Sequence, residues 1–362
     1  MGMDLDAYLP PLLKKSTIAK IEGRQLLIGD RRSYPWEMQF VPCDSVDAVS
    51  QAIKDMVTQG GGPLQVGLTT MRFIARKIHA GEMPDHARTF LDAAQKLSSA
   101  RPTNTTMART LQHVVSHIAR WYVCSGVQDV HANDLVGFVD SIIDSQEAAF
   151  DADYDIMGDL GSRCISDSDG ILTTCFAEHS FLVSLAKAKE QGKSFTVFVP
   201  ETRPYLQGAR LTAPSLHEMG IDAYVITDGM GAHYMRDGAI QLYMTAADLV
   251  TMDGTVVNKV GTLANAISAN HYDIPYYAFA MSPDPSKKSS KDIIMEERDG
   301  KEILDIRGIP TTLDSMKGRY PAFDIIDPPL VDGIITPKGI LKPHEIAREF
   351  DLSYRNQGAD NS

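Results

Sequence analysis

The chain has 362 residues, of which 43% are hydrophobic and 23% charged, enough apolar material for a core and too much for a disordered chain. Its formal charge of −12, from 35 Lys and Arg against 47 Asp and Glu, repels a polyphosphate backbone, and no basic run offsets it, so no nucleic acid partner is expected. No apolar run approaches the roughly 20 residues of a bilayer-spanning helix, so no membrane partner is expected either.

The N-terminal MGMDLDAYLPPLLKK has no basic region leading into an apolar stretch, and Asp6 stands where a myristoylation signal requires Ser or Thr. Cys43, Cys124, Cys164 and Cys175 are widely spaced, without a CxxC pair or a Cys/His cluster. Neither a zinc site nor a disulfide framework follows, and the expected compartment is reducing and cytoplasmic.

From Ser45 to about Val123 the pattern is helical. SVDAVSQAIKDMVTQ places Val46, Val49, Ile53 and Met56 three and four residues apart, with Ser45 as N-cap. The glycine-rich GGGPLQVG then predicts a break, and TTMRFIARKIHA, ARTFLDAAQKLSSA and TTMARTLQHVVSHIARWYV predict three further helices. Pro102 and Asn104 mark a loop between the last two. After about Asp155 short apolar runs alternate with helical segments: GILTTC, SFTVFVPE, IDAYVITD, a run near AADLVTM, and IPYYAFAM. That alternation predicts an α/β fold with a parallel sheet flanked by helices, preceded by a smaller, mainly helical domain. The boundary is set near residue 150, giving domains 1–150 and 151–362. Ligands of open α/β sheets lie beyond the carboxyl ends of the strands, so the loops after these runs are the candidate site. KKSSKDIIMEERDGKEILD reads as solvated surface.

Cys175 ends its apolar run just before a helix, where N–H groups and partial positive charge can lower a thiol pKa. It is either a reactive thiolate or a small buried filler, the reading kept for the other three cysteines. Glu178 and His179 follow at once, placed either to tune the thiol and bind substrate or to face solvent in the first helical turn. Asp248 interrupts the apolar MTAADLVTM, where partial burial would raise its pKa and suit it to proton transfer; a capping or salt-bridged role is the alternative. Asp228 is a rival carboxylate. Asn258, Lys259, Gly261 and Thr262 sit where a helix opens, an arrangement able to hold a phosphate or merely to cap. QGARLT is a second glycine-bearing helix entry, with Arg203 and Arg210 nearby, and Arg101 lies on another loop. GxxxxGK[ST], GxGxxG and GxSxG are all missing, so no nucleotide cofactor is expected and no metal.

Taken in order, ARPT, GDLGS…ILTTC, ETRPYLQGARLTAPSL, AADLVTMDGTVVNKVGT, IPYYAFA, IIMEERD and YPAFDIIDPPLVDGIIT resemble the S-methyl-5-thioribose-1-phosphate isomerase family. This family groups with ribose-1,5-bisphosphate isomerases and the regulatory subunits of translation initiation factor 2B, and the resemblance spans about residues 30 to 345. It implies a Rossmann-like domain after a small helical one, a homodimer, catalysis by Cys175 and Asp248, and sugar-phosphate contacts from Arg101, Gln207, Asn258 and Lys259. The first phosphate loop of the family pattern falls at Gly61 and Gly62.

Three departures stand out. GGGPLQVG replaces RGAPAIG and loses an arginine, Phe176, Ala177 and Glu178 replace Asn-Thr-Gly, and AADL replaces GADR. The expected activity is aldose–ketose isomerisation of a ribose 1-phosphate with an uncharged C5 substituent, 5-methylthio or 5-deoxy. The alternatives are a 1,5-bisphosphate substrate or a non-catalytic regulatory module.

Overall fold

The structure, a computed structural model, describes residues 5–101, 105–124 and 132–351. Pro102 and Asn104, read as loop markers, lie outside the described residues. The chain divides into two compact units, Met1–Ala152 and Asp153–Ser362.

The first unit holds helix α1 (Lys15–Ile18) and an antiparallel sheet of β1 (Ala19–Glu22), β2 (Gln25–Asp30) and β3 (Gln39–Cys43) in that order. Helices follow: α2 (Val46–Lys54), α3 (Gly62–His79), α4 (Ala87–Ala100), α5 (Thr105–Cys124) and the start of α6 (Ala132–Cys164). The expected Ser45 cap is present, its hydroxyl accepting from the Ala48 N–H at 3.3 Å. Met56 does not continue the helical face; its φ of 58° places it in the turn that follows. The glycine-rich segment is less of a break than its composition suggests. Gly60 turns the chain with φ 59°, and α3 begins at Gly62 with Pro63 in its first turn, where a missing N–H costs no helical bond. Leu26, Ile28, Val49, Ile53, Met71, Phe90, Leu111 and Val114 form the core. Arg72 ties α3 to α6 through Asp140, Asp144 and Glu147 at 3.1, 2.8 and 3.1 Å.

The second unit is built on a seven-stranded sheet from β4 (Asp169–Leu172), β5 (Phe195–Pro200), β6 (Ala223–Ile226), β7 (Leu242–Ala246), β10 (Tyr276–Phe279), β12 (Gly333–Thr336) and β13 (Gly339–Leu341). Its spatial order is β13-β12-β10-β7-β4-β5-β6. All pairs are parallel except β12–β13 at one edge. Helices α7 (Glu178–Glu190), α8 (Ala213–Glu218), α9 (Gly231–Arg236) and α10 (Thr262–His271) connect the strands. The run near AADLVTM contributes differently from the expectation. The strand of the main sheet lies earlier, in LYMTA, while β8 (Leu249–Val250) joins β9 (Val256–Lys259) and β11 (Phe323–Ile326) in a separate antiparallel sheet.

The chain winds from β4 to β5 and β6 on one side, then returns to lay β7 and β10 on the other. The winding direction therefore reverses between β4 and β7, and the crevice beyond their carboxyl ends is the topological switch point. No helix among the described residues is long and apolar enough to cross a membrane.

Ile171 on the central strand is fully buried. Ile171→Ala should lower unfolding stability by about 2–5 kcal/mol, measured by urea titration, because the flanking strands cannot close the cavity.

Candidate active site

Two threonines hold Cys175 beyond β4. Its N–H donates to Thr202 Oγ1 at 3.1 Å, and its carbonyl accepts from Thr212 Oγ1 at 2.6 Å. The residue takes a positive φ of 65°, so these two bonds fix a conformation that a non-glycine residue adopts at a cost. Thr202 is itself positioned by Asp228, whose carboxylate accepts from the Thr202 and Arg203 N–H groups at 2.7 Å each. Asp228 thus supports the loop.

The environment of the sulfur corrects the expectation of a ready thiolate. Although the residue is only partly buried overall, desolvation of the sulfur pushes its pKa up from 9.0 to about 11. Lys259 opposes that rise, Asp248 adds to it, the Phe176 N–H opposes it as a donor, and Glu178 adds to it. Helix α7 starts only at Glu178, with Ala177 as N-cap, so Cys175 precedes the helix and has limited help from its dipole. Burial thus favours the thiol over the thiolate at Cys175. The same interactions show that Asp248, Lys259 and Glu178 all lie within electrostatic reach of this one sulfur.

Asp248 occupies the bend between β7 and β8, its N–H donating to the Val257 carbonyl at 2.9 Å. It is exposed, not partly buried as its apolar neighbours predicted, because those neighbours belong to strands that turn inward on either side of the bend. Lys259 ends β9 and is buried, 6% exposed. Its Nζ lies 3.4 Å from the Tyr320 hydroxyl and 5.2 Å from the centre of the Phe323 ring. Among the described residues no carboxylate pairs with it. An enclosed ammonium beside a hydroxyl and aromatic faces is a receptive position for an anion.

Asn258 is buried and donates to Thr262 Oγ1 at 3.0 Å, and Thr262 donates onward to the Lys259 carbonyl at 2.7 Å. The opening of α10 differs from the expected phosphate cradle. Asp324 on β11 accepts from the N–H groups of Gly261 and Leu263 at 2.7 and 3.0 Å, so a side chain of the same fold already fills that anion position. Gly261 makes the turn possible with φ 102°. Gln207 is buried ahead of the turn Gly208–Thr212, and its side-chain carbonyl has no hydrogen-bond partner among the described residues. A ligand hydroxyl would satisfy it.

Arg101, Gly61 and Gly62 belong to the first unit. Arg101 follows α4, half-buried, with Nη1 3.5 Å from the Met56 sulfur. Gly62 N–H is spent on the Gln59 carbonyl at 3.0 Å, and a Cβ at Gly62 would collide with the Thr58 hydroxyl. Its amide is therefore occupied by the turn. Thr202, Thr212, Tyr320 and Asp324 were not anticipated, since hydroxyls and a carboxylate dispersed over four loops and strands leave no spacing signal. Among the described residues no group of three or more His, Cys, Asp and Glu side chains is arranged to hold a metal.

The fold and site define an α/β protein with an enclosed thiol and a buried cation at the switch point of its sheet. The chain belongs to the initiation factor 2 subunit family, whose model matches residues 64–343. It is 32% identical to a methylthioribose-1-phosphate isomerase of Thermosipho africanus, over 89% of this chain and 93% of the relative. It is 31% identical to one of Xanthomonas axonopodis pv. citri, over 90% and 92%. Among solved structures, the 5-methylthioribose 1-phosphate isomerase of Pyrococcus horikoshii superposes with a TM-score of 0.77 at 26% identity, covering 98% of this chain and all of that one. The delta subunit of translation initiation factor eIF-2B from A. fulgidus gives 0.76 at 25% identity, covering 91% and 96%.

Because burial raises the Cys175 pKa, its alkylation by iodoacetamide at neutral pH should be at least ~10-fold slower than that of exposed Cys124, and should accelerate as pH rises toward about 11. Peptide mass spectrometry over a pH series measures both. Fast labelling of Cys175 at pH 7 would contradict the neutral thiol.

Proposed function

We propose that this chain is an aldose–ketose isomerase that converts 5-methylthio- or 5-deoxyribose 1-phosphate to the corresponding ribulose 1-phosphate. The observation that carries the reading is the buried Lys259 ammonium, without a carboxylate partner among the described residues, beside the thiol that also senses Asp248. The names of the relatives point to the same substrate class.

Phosphate on C1 locks the sugar as an acetal, so the ring must open before hydrogen can move. Lys259 holds the phosphate by charge-assisted hydrogen bonding. Gln207 accepts from a sugar hydroxyl with its otherwise unpartnered carbonyl, and Asn258 keeps the β9–α10 turn in position. Asp248 donates to the ring oxygen as the C1–O bond breaks. Hydrogen then moves from C2 to C1 against the Cys175 thiol, and the Asp248 carboxylate takes the C2 hydroxyl proton as the ketone forms. No redox cofactor or metal enters this sequence.

The missing arginine of the glycine-rich loop and the replacement of GADR by AADL remove positive charge, which supports an uncharged C5 group over a second phosphate. Family resemblance supports a homodimer in the cytoplasm with a small sugar phosphate as its partner.

Purified protein incubated with the 5-methylthio, 5-deoxy and 5-phospho forms of ribose 1-phosphate should yield ketose from the first two, followed by NMR. Absence of turnover with all three would overturn the reading in favour of a binding module. Cys175→Ser should lose most of the activity. Asp248→Asn should slow turnover by ~10²-fold or more with KM little changed, since the amide keeps the shape and cannot donate the proton, whereas Lys259→Met should act chiefly on KM.

A further inference from the structure

Strands β4, β5 and β6 are neighbours in the main sheet, and a series of hydrogen bonds crosses the loops at their carboxyl ends to reach Cys175. It starts at Asp228, just past β6, whose Oδ1 and Oδ2 accept from the successive N–H groups of Thr202 and Arg203 at 2.7 Å each. Thr202 stands in the left-handed region with φ 62°, where a β-branched side chain is an outlier that its surroundings must hold. Two successive N–H groups aimed at one carboxylate supply that hold. In this conformation the Thr202 hydroxyl donates to the Pro200 carbonyl at 3.1 Å, so its lone pairs are left to accept from the Cys175 N–H, also at 3.1 Å. Gly208 packs on the loop from the other side. A Cβ there would stand 1.8 Å from the Pro200 oxygen and 3.1 Å from Thr202 Oγ1, so the segment that ends in Thr212 lies directly against Thr202. Asp228 itself is exposed and adds nothing to the core.

With its N–H held by Thr202 and its carbonyl by Thr212, Cys175 keeps its φ of 65°, and that backbone conformation sets the direction in which the sulfur projects. We propose that Asp228 is a positioning residue for the isomerisation: by holding Thr202 in the left-handed region it aims the Cys175 thiol, a role that rests on the isomerase reading above. Asp228 acts through Thr202 and touches no reacting atom. Both of its oxygens are engaged by backbone N–H groups, which separates its role from that of Asp248, the carboxylate assigned to the ring oxygen. Without the carboxylate, Thr202 relaxes toward negative φ, its hydroxyl swings away from the Cys175 N–H, and Cys175 loses one of the two bonds that hold its own positive φ. The cost falls on hydrogen transfer rather than on substrate binding. Lys259, which holds the phosphate, projects from β9 in the separate antiparallel sheet and lies beside Tyr320, so the change leaves it in place.

The test uses the full-length protein and the sugar phosphate that it turns over. Asp228→Asn, which exchanges one acceptor oxygen for an NH2 group, should lower kcat by ~10–10²-fold with KM changed little. Thr202→Val should do the same, whereas Thr202→Ser keeps the hydroxyl and should recover most of the rate. Because the two residues act in series, Asp228→Asn combined with Thr202→Val should be no slower than the slower single variant, while independent structural damage would multiply. Should Asp228→Asn fail to fold, the contrast between Thr202→Val and Thr202→Ser decides the case. A second readout needs no substrate: iodoacetamide should label Cys175 at least ~3-fold faster in Asp228→Asn and Thr202→Val than in the wild type, with Cys124 as internal reference. A wild-type kcat in either variant would overturn the assignment, as would multiplying losses in the double variant or unchanged labelling of Cys175 in both. A wild type inactive on every sugar phosphate would instead remove the isomerase reading, and the labelling rates would still decide whether Asp228 holds the thiol.

Discussion

The position of β4 between β5 and β7 is the constraint on which the site depends. A chain that winds one way from β4 and then returns to the other side leaves two adjacent strands whose following loops diverge, with a crevice between them. Cys175 leaves the end of one of these strands and Asp248 the end of the other, so residues 73 positions apart act on the same sulfur. The Thr202 and Thr212 hydroxyls, from the segments following β5, fasten the Cys175 backbone from both its N–H and its carbonyl. Sheet topology supplies the convergence, and local hydrogen bonds supply the rigidity.

Electrostatics within that crevice are settled by competition between burial and charge. Lys259 favours a thiolate at Cys175, yet desolvation outweighs it, and Asp248 and Glu178 push in the same direction as burial. Burial therefore favours the thiol over the thiolate at Cys175, against the pull of the ammonium. The arrangement also explains how an acidic chain can host a phosphate. Its net charge of −12 is spread over the surface, where water and salt screen it, while the Lys259 charge acts at short range from an enclosed position.

The second unit was legible because alternating apolar runs report strands directly, and β4, β5, β6 and β10 fall where their runs predict. The run near AADLVTM was expected as a strand, but the main-sheet strand lies just before it in LYMTA, because a bend at an aspartate has no periodicity of its own. In the first unit the helix pattern was equally clear, but β1–β3 and the 33-residue α6 were not anticipated, the first because its strands are short and mixed in polarity, the second because acidic residues dilute its apolar face. At the site, Cys175, Asp248 and Lys259 are recognisable residue types at strand ends. How far each is buried is a property of three-dimensional packing, and hence the expectations of a lowered thiol pKa and a partly buried Asp248 both failed.

The opening of α10 shows how the anion position is chosen. A helix N-terminus and a lysine side by side offer two places for a phosphate, and Asp324 removes one of them by bonding two of the N–H groups itself. The same carboxylate fixes the turn from which Lys259 projects, through the antiparallel pairing of β11 with β9, in which Lys259 faces Phe323 and Asn258 faces Asp324. Phe323 then contributes the aromatic face near the ammonium, and Tyr320 the hydroxyl. One strand thereby blocks the helix dipole and presents the lysine, so that anion binding falls to a side chain whose reach is limited by its burial. Under the proposed reading, a C1 phosphate held at Lys259 lies within the electrostatic reach of the same charge that opposes the rise of the Cys175 pKa.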